Sequence, residues 1–245
     1  MVFGSPVTRF VLETILLHIE ESLFIACANG GKAFGSFVRD IIVPRMENPL
    51  CDVSFNSVSI WFRRKDQVRR FINRMRQTIP KLGLNCTFEE ISPDISEAII
   101  QRYALMGTIY NLSVHATSIA WFDIVISDDF PVSDFDVNCL TYSCREDLST
   151  GKKLICKELK SEKEYSKEDL IDAINRKEAT MFDSYTLEVI NDCNYLDIIN
   201  RLISKGWVIN IRNVRCTEPI TKNKISIVLN EDPLEDTSTP LVGCC

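Results

Sequence analysis

One stretch of the chain constrains the fold more than any other, the run Ser118–Ser127, which reads SIAWFDIVIS. Its interior is apolar apart from Asp123, and the turn sequence Asp-Asp-Phe-Pro follows at positions 128–131. An apolar run of this length that ends at turn residues is typical of a buried β-strand. A carboxylate inside such a strand is costly unless it is paired, bound to a metal or exposed at a sheet edge. Asp123 is therefore either a structural acid at an edge or a candidate site residue.

Strand-like and helix-like patterns alternate along the rest of the chain, which predicts the α+β class. The predicted helices are Pro6–Cys27, Phe37–Val43, Arg63–Gln77, Ile95–Met106, Ser166–Asn175 and Tyr195–Lys205. The other predicted strands are Val53–Phe62, Leu84–Phe88, Asn138–Tyr142, Lys153–Glu158 and Trp207–Ile211. We expect three parts: a first domain over residues 1–135, a smaller mixed α/β part over 136–230, and a flexible tail over 231–245.

Composition excludes several classes of protein. The 245 residues are 45% hydrophobic and 25% charged, which is globular rather than disordered. No uncharged apolar run reaches the length that a membrane-spanning helix needs, and we expect a cytoplasmic protein. The net charge of −6 argues against a generic nucleic-acid coat but leaves room for a local basic patch.

The ten cysteines are scattered along the chain, and we interpret most of them as small buried apolar residues in a reducing compartment. The spacing of Cys139, Cys144 and Cys156 is a weaker zinc alternative, because the chain has no C-x-x-C pair and only two histidines. Cys244–Cys245 resembles a double-cysteine prenylation tail, although no basic cluster precedes it.

A phosphate-binding arrangement is indicated where Gly35-Ser36 precedes the short predicted helix. Glycine lets a ligand approach the backbone, and the free amides at a helix start attract anions. Ser36 is also well placed to cap the helix, and Pro44 is expected to end it. A turn with an ordinary cap is the alternative interpretation of the same residues.

The motif Gly35-Ser36-Phe37-Val38-Arg39-Asp40 resembles the nucleotidyltransferase superfamily with a DNA polymerase beta-like palm. It is similar to the Gly-Gly-x-Val-Arg-Asp form of CCA-adding enzymes and bacterial-type poly(A) polymerases. Phe34–Phe62 and residues 122–131 also resemble nucleotidyltransferase-fold proteins of large amoeba-infecting DNA viruses, and for a viral protein the location would be the host cytoplasm. The resemblance covers about residues 30–135.

This resemblance implies a palm whose mixed sheet is flanked by helices. It implies that Gly35, Ser36, Arg39 and Asp40 bind an NTP. In the family, an Asp-x-Asp strand and a third aspartate hold two Mg²⁺ ions, which bridge the triphosphate and activate the attacking hydroxyl. Asp123 matches the third aspartate.

The chain departs from the family at the Asp-x-Asp strand, where Ser57 and Ser59 stand instead. Residues at i and i+2 of a strand share a face, so the geometry is kept while the charge is lost. An alternative register makes Asp52 the first metal-binding acid, which would leave Asp52 and Asp123 as catalytic metal ligands. Asp52 otherwise belongs to a turn after Pro49-Leu50-Cys51.

A basic stretch follows this strand. Arg63–Arg76 contains seven basic residues and one acid, and Arg63, Arg70 and Arg74 lie near one helical face. This face is a candidate surface for RNA or triphosphate, and a solvated helix face is the alternative.

Three functions stay open at this point. The first is a nucleotidyltransferase-fold protein that binds NTP or nucleic acid with weak or no transfer activity. The second is an active Mg²⁺-dependent transferase that uses Asp52 and Asp123. The third is a structural or interaction protein that binds no nucleotide.

Overall fold

The computed structural model describes residues 19–48, 57–82, 85–91, 109–115, 119–131, 134–147, 154–182, 193–211 and 214–221. The chain divides into two compact units, Met1–Arg176 and Lys177–Cys245. Each unit has its own sheet, and the class is α+β, as the alternating patterns predicted.

The first unit is built on a seven-stranded sheet. Its strands are β1 (Lys32–Phe34), β2 (Ser57–Phe62), β3 (Asn85–Ile91), β4 (Ile109–His115), β5 (Ile119–Ile126), β6 (Leu140–Asp147) and β7 (Leu154–Ser161). Their order across the sheet is β3-β4-β5-β2-β1-β6-β7. The central pair β2 and β5 runs parallel, while the neighbouring pairs on both sides run antiparallel. The sheet is therefore mixed.

Helices accompany this sheet. They are α1 (residues 19–28), a π-helical turn (Val38–Ile42) that continues into α2 (Val43–Glu47), α3 (Lys65–Thr78) and α4 (Lys167–Arg176). Short 3-10 turns lie at Ile79–Leu82 and Asp136–Cys139. The hydroxyl of Ser166 accepts a hydrogen bond from the Asp169 amide at the start of α4, which is the cap that the sequence predicts there.

Both faces of the large sheet carry core residues, and one of these faces packs against α3. Val58, Ile60 and Phe62 alternate on β2 and are fully buried. The apolar stripe of α3 packs on this face, and the rings of Phe62 and Phe71 lie 5.5 Å apart. The 3.6-residue period of α3 and the two-residue period of β2 together produce this interface.

The described residues of the second unit form a three-stranded sheet and a helix. Its elements are β8 (Glu178–Met181), α5 (Cys193–Ser204), β9 (Val208–Ile211) and β10 (Val214–Cys216), with the strand order β10-β9-β8. β8 and β9 run parallel, whereas β9 and β10 run antiparallel. Ile199, Ile209 and Ile211 are buried in this unit.

Two predictions about the short helix after Gly35 are wrong. Ser36 is not its cap, because residues 36 and 37 are already helical and no side chain caps the π-helical turn. Pro44 does not end it, because Pro44 falls in the first turn of α2. Pro44 lies at the junction between the π-helical turn and α2, where it removes one backbone donor without ending the helical run.

The other element predictions can be compared one by one. The structure confirms helix α3, the helix at Tyr195–Lys205, the strand Ser118–Ser127 and the hairpin that β6 and β7 form. Strands β1, β4, β8 and β10 are additional elements that the sequence patterns do not predict. The predicted helix Ile95–Met106 and the tail over 231–245 lie outside the described residues.

The expected boundary at residue 135 lies inside the first unit. β6 follows that position, and its Thr141 and Tyr142 pair with Phe34 and Ala33 of β1. The hairpin therefore extends the first sheet, and the division between the units comes at Arg176 and Lys177.

In the described part of the chain, no helix is long and apolar enough to cross a membrane. Cys27, Cys139, Cys144, Cys156 and Cys216 form no disulfide bonds. Cys139, Cys144 and Cys216 are buried, as expected for small apolar residues. Burial raises the pKa of the Cys139 thiol to about 12, so this residue is an unreactive core thiol.

Candidate functional site

The three strands that carry the predicted site residues are neighbours in the order β5-β2-β1. Ser59 of β2 pairs with Asp123 of β5 on one side and with Phe34 of β1 on the other. Paired residues of neighbouring strands lie about 4.8 Å apart and point to the same face. Gly35 follows Phe34 directly, so the Gly35-Ser36 turn, Ser59 and Asp123 lie at one end of three adjacent strands.

Ser57 and Ser59 share one face of β2, as their spacing predicts. Ser59 is only 3% exposed, whereas Ser57 and Asp123 are partly exposed. Both Ser59 and Asp123 interact with other groups of the fold, so neither side chain is free. The strand is central rather than at the edge of the sheet, which removes edge exposure as the explanation of Asp123.

Gly35 turns the chain from β1 into the helix. Its φ is +73°, a left-handed conformation that residues with a side chain rarely adopt. The space around a Cβ at this position is open, so the backbone conformation rather than crowding requires glycine. Gly35 itself is buried and Ser36 is partly exposed, so Ser36 is the part of the turn that solvent reaches.

Arg39 is held within the fold. Its Nε and Nη2 donate to the two carboxylate oxygens of Asp40 at 2.6 and 2.8 Å, and its Nη1 donates to Oδ1 of Asn138 at 3.1 Å. The residue is 5% exposed. Arg39 and Asp40 therefore form an ion pair within the helix, and Asn138 ties this pair to the turn before β6. In this conformation the guanidinium positions the helix after Gly35 rather than facing a ligand.

Asn138 and Asp134 complete this network, and the sequence analysis missed their role. Oδ1 of Asp134 accepts hydrogen bonds from Nδ2 of Asn138 at 2.8 Å and from the amide of Phe135 at 3.2 Å. Both side chains are buried. The signal in the sequence was an Asp four residues before an Asn, among apolar residues, which is a spacing that allows the two side chains to form a hydrogen bond. Buried polar residues of this kind must find partners inside the fold.

An aromatic cluster covers part of the face that carries Ser59. The ring of Phe130, from the turn after β5, lies edge-on to Phe34 at 5.6 Å and to Trp61 at 5.4 Å. Nε1 of Trp61 donates to the carbonyl of Ser127 at 3.0 Å, which holds this turn against β2. Since Phe34 and Trp61 flank Ser59, the open part of the face lies toward Ser57 and Asp123.

Neither a protein-family model nor a curated protein matches this chain. The site therefore has to be interpreted from its own geometry. Among the described residues, no three His, Cys, Asp or Glu side chains come together as a metal-binding group, and the Cys139, Cys144 and Cys156 set is no exception. Asp52 lies outside the described residues, so the structure leaves its position open.

An ion pair joins β1 to the end of β7 near this face. Nζ of Lys32 donates to Oε1 of Glu162, and Oγ1 of Thr141 donates to the same oxygen at 2.9 Å. Burial alone would raise the pKa of the Glu162 carboxyl, but the bonds from Lys32 and Thr141 together hold it below its usual range. The two bonds connect three neighbouring strands beside the candidate site.

The basic stretch forms the exposed surface of α3. Arg69, Arg70, Arg74 and Arg76 are exposed, opposite the buried stripe of the helix. Asp66 is the acid among them, and it accepts a hydrogen bond from Arg70 at 2.6 Å, which lowers the pKa of its carboxyl. Arg63 stacks over Trp61 at 5.4 Å. Arg70 and Arg74 lie one turn apart on a common face, as predicted, whereas Arg63 precedes the helix, which begins at Lys65.

Proposed function

We propose that this chain is a nucleotidyltransferase-fold protein that binds an NTP at the Gly35-Ser36 end of β1, β2 and β5 and has weak or no transfer activity. The observation that carries the proposal is the parallel pairing of β2 and β5, which sets Ser59 opposite Asp123. The left-handed Gly35 delivers a helix start to the same end of the sheet. Backbone amides at such a turn are suited to phosphate oxygens.

The weak or absent transfer activity follows from the missing negative charge at positions 57 and 59. Transfer of a nucleotide through two Mg²⁺ ions needs hard, negatively charged ligands around both metals. Ser57 and Ser59 offer neutral hydroxyls, so Asp123 is the carboxylate that the described strands supply at this place. One carboxylate together with the triphosphate suffices for a single Mg²⁺, since Mg²⁺ is commonly held by one or two carboxylates and substrate phosphates.

Calorimetric titration with ATP, with and without Mg²⁺, tests nucleotide binding. We expect wild type to bind Mg²⁺–ATP, and Asp123→Asn to weaken that binding about tenfold or more, because a metal ligand is lost. Asn keeps the size of the side chain, so the change reports charge. Absence of ATP binding in both conditions would overturn the proposal in favour of a structural or interaction protein.

Placing aspartates at positions 57 and 59 tests whether these two residues occupy the metal-binding positions of the family. We expect Ser57→Asp with Ser59→Asp to gain Mg²⁺-dependent thermal stability, because three carboxylates then repel one another without a cation. Ser57→Asn with Ser59→Asn is the matched neutral control, and its melting temperature should not respond to Mg²⁺. Equal responses of the two double variants would contradict the assignment of Ser57 and Ser59 to the Asp-x-Asp positions.

Incorporation of a labelled NTP distinguishes the proposed weak or inactive protein from an active transferase. An active transferase that uses Asp52 and Asp123 predicts incorporation by wild type that both Asp52→Asn and Asp123→Asn abolish. We expect wild type to show little or no incorporation. Substantial incorporation by wild type that both variants abolish would replace our proposal with the active enzyme.

A further inference from the structure

A cavity of about 390 Å³ opens in the first unit beside the helix that follows Gly35. Its apolar lining consists of Phe37, Ile41, Ile42, Met46, Tyr142 and Leu159. Tyr142 pairs with Ala33, which pairs with Ile60, so it belongs to the sheet face opposite Ser59. Small-molecule sites usually have volumes of about 300–1,000 Å³ and mainly apolar walls, and this cavity meets both criteria.

The mouth of the cavity has an uncovered apolar side chain. Met46, near the end of α2, is 65% exposed, which makes it the most exposed large apolar side chain among the described residues. Exposed apolar surface beside an apolar hollow costs free energy in water, and a ligand that enters the hollow removes both from solvent. Methionine is unbranched and adapts its shape to whatever covers it.

Charge at the mouth favours an anionic head group. Glu20 and Lys157 border the cavity and pair with each other at 3.8 Å. Glu158 also borders it, but strand alternation directs this side chain to the face opposite Leu159. Arg45 has no acidic partner among the described residues. The cation without a counter-charge at this mouth is therefore Arg45.

We propose that this cavity binds an amphipathic carboxylate, with its apolar body among Ile41, Tyr142 and Leu159 and its head group at Arg45. The binding is non-covalent. Apolar burial supplies most of the affinity, and the guanidinium selects the anion over neutral molecules of the same shape. This inference does not depend on nucleotide binding, because the cavity lining includes none of the residues proposed to bind the NTP.

Calorimetric titration of the full chain with octanoate, decanoate and octan-1-ol, each below its micellar or solubility limit, tests the cavity. We expect decanoate to bind about fifteenfold more tightly than octanoate, because two further methylenes are buried. Octanoate should bind more tightly than octan-1-ol. No saturable binding, or no preference for the anion, would overturn the proposal.

Two pairs of variants locate the site. Arg45→Gln should weaken octanoate binding about two- to fivefold and leave octan-1-ol unchanged. Arg69→Gln removes an exposed cation of the same unit at α3 and should change neither. Met46→Glu should bind octanoate more weakly than Met46→Gln, and both substitutions are at an exposed position that tolerates polar residues. Equal effects of Arg45→Gln and Arg69→Gln, or equal binding by the two Met46 variants, would contradict the assigned mouth.

Discussion

Ser59 lies directly opposite Asp123 in the one parallel pair of strands within the described part of the large sheet. The two residues are far apart in sequence, yet their backbones are neighbours in a ladder with a fixed register. A carboxylate at position 59 would lie close enough to share a cation with Asp123. The serine found there leaves Asp123 as a single acid, and this difference is the basis of the proposed weak activity.

Gly35 should resist substitution because of its backbone conformation. We expect Gly35→Ala to destabilise the protein by about 1–2 kcal/mol, the cost of placing a Cβ residue in the left-handed region. Gly35→Asn should cost less, since Asn tolerates this region better. Urea denaturation measures both free energies of unfolding. Because the surrounding space is open, equal stability of Gly35→Ala and wild type would show that the turn adopts another conformation in solution.

The network around Arg39 should couple Asp134 and Asn138. We expect Asn138→Ala to lower the free energy of unfolding by about 1–3 kcal/mol, because it leaves buried groups of Arg39 and Asp134 without a partner. Chemical denaturation of single variants at Asp134 and Asn138, and of the double variant, gives the coupling energy between the two side chains.

A swapped pair provides the control for this network. Asp134→Asn together with Asn138→Asp keeps one amide and one carboxylate at the two positions. Asn138→Asp alone places two carboxylates side by side and should be the least stable of these variants. If the swapped pair recovers no stability over Asn138→Asp, the two side chains do not interact as described.

The ion pair between Lys32 and Glu162 should contribute stability that depends on pH. The pKa of the Glu162 carboxyl is lowered in the folded state, so its contribution is complete above the ordinary value of about 4.5 and is lost as pH falls through the folded-state pKa. We expect Glu162→Gln to destabilise the protein by about 1–2 kcal/mol near pH 7 and by progressively less below pH 4.5. Urea denaturation at several pH values measures this difference.

Glu164→Gln serves as the control for that experiment, because Glu164 is exposed two positions along the same segment. Its stability should follow that of wild type at each pH. A Glu162→Gln difference that stays constant from pH 7 down to strong acid would contradict the ion pair.

The exposed arginines of α3 should bind single-stranded RNA in a salt-dependent manner. We expect Arg70→Gln with Arg74→Gln to weaken the binding of a uridine oligonucleotide and to reduce the salt slope by about 0.7 for each phosphate that the variant no longer neutralises. Fluorescence anisotropy at several salt concentrations measures both quantities. Lys160→Gln with Lys163→Gln removes the same charge at another exposed surface. Equal weakening in the two double variants would show that only net charge matters.

Periodicity predicted the elements that pack through one regular face. The apolar stripe of α3 and the apolar run of β5 needed no tertiary information, because their burial patterns repeat at the helix and strand periods. Strand β1 was not predicted, because three residues carry too little pattern to define a strand. The continuation of the helix through Pro44 was missed because a proline ends some helices and begins others, depending on the turn in which it lies.

The sequence by itself determined which residues face the core, that Ser57 and Ser59 share a side of their strand, and that the positive charge gathers on one helix. These properties depend on residues close together in the chain. Only the tertiary structure decided that Asp123 sits beside Ser59, that Arg39 is engaged by Asn138, and that a cavity opens beneath Met46. Strand order and register depend on pairing between distant residues, and a one-residue shift of register would direct each side chain to the other face.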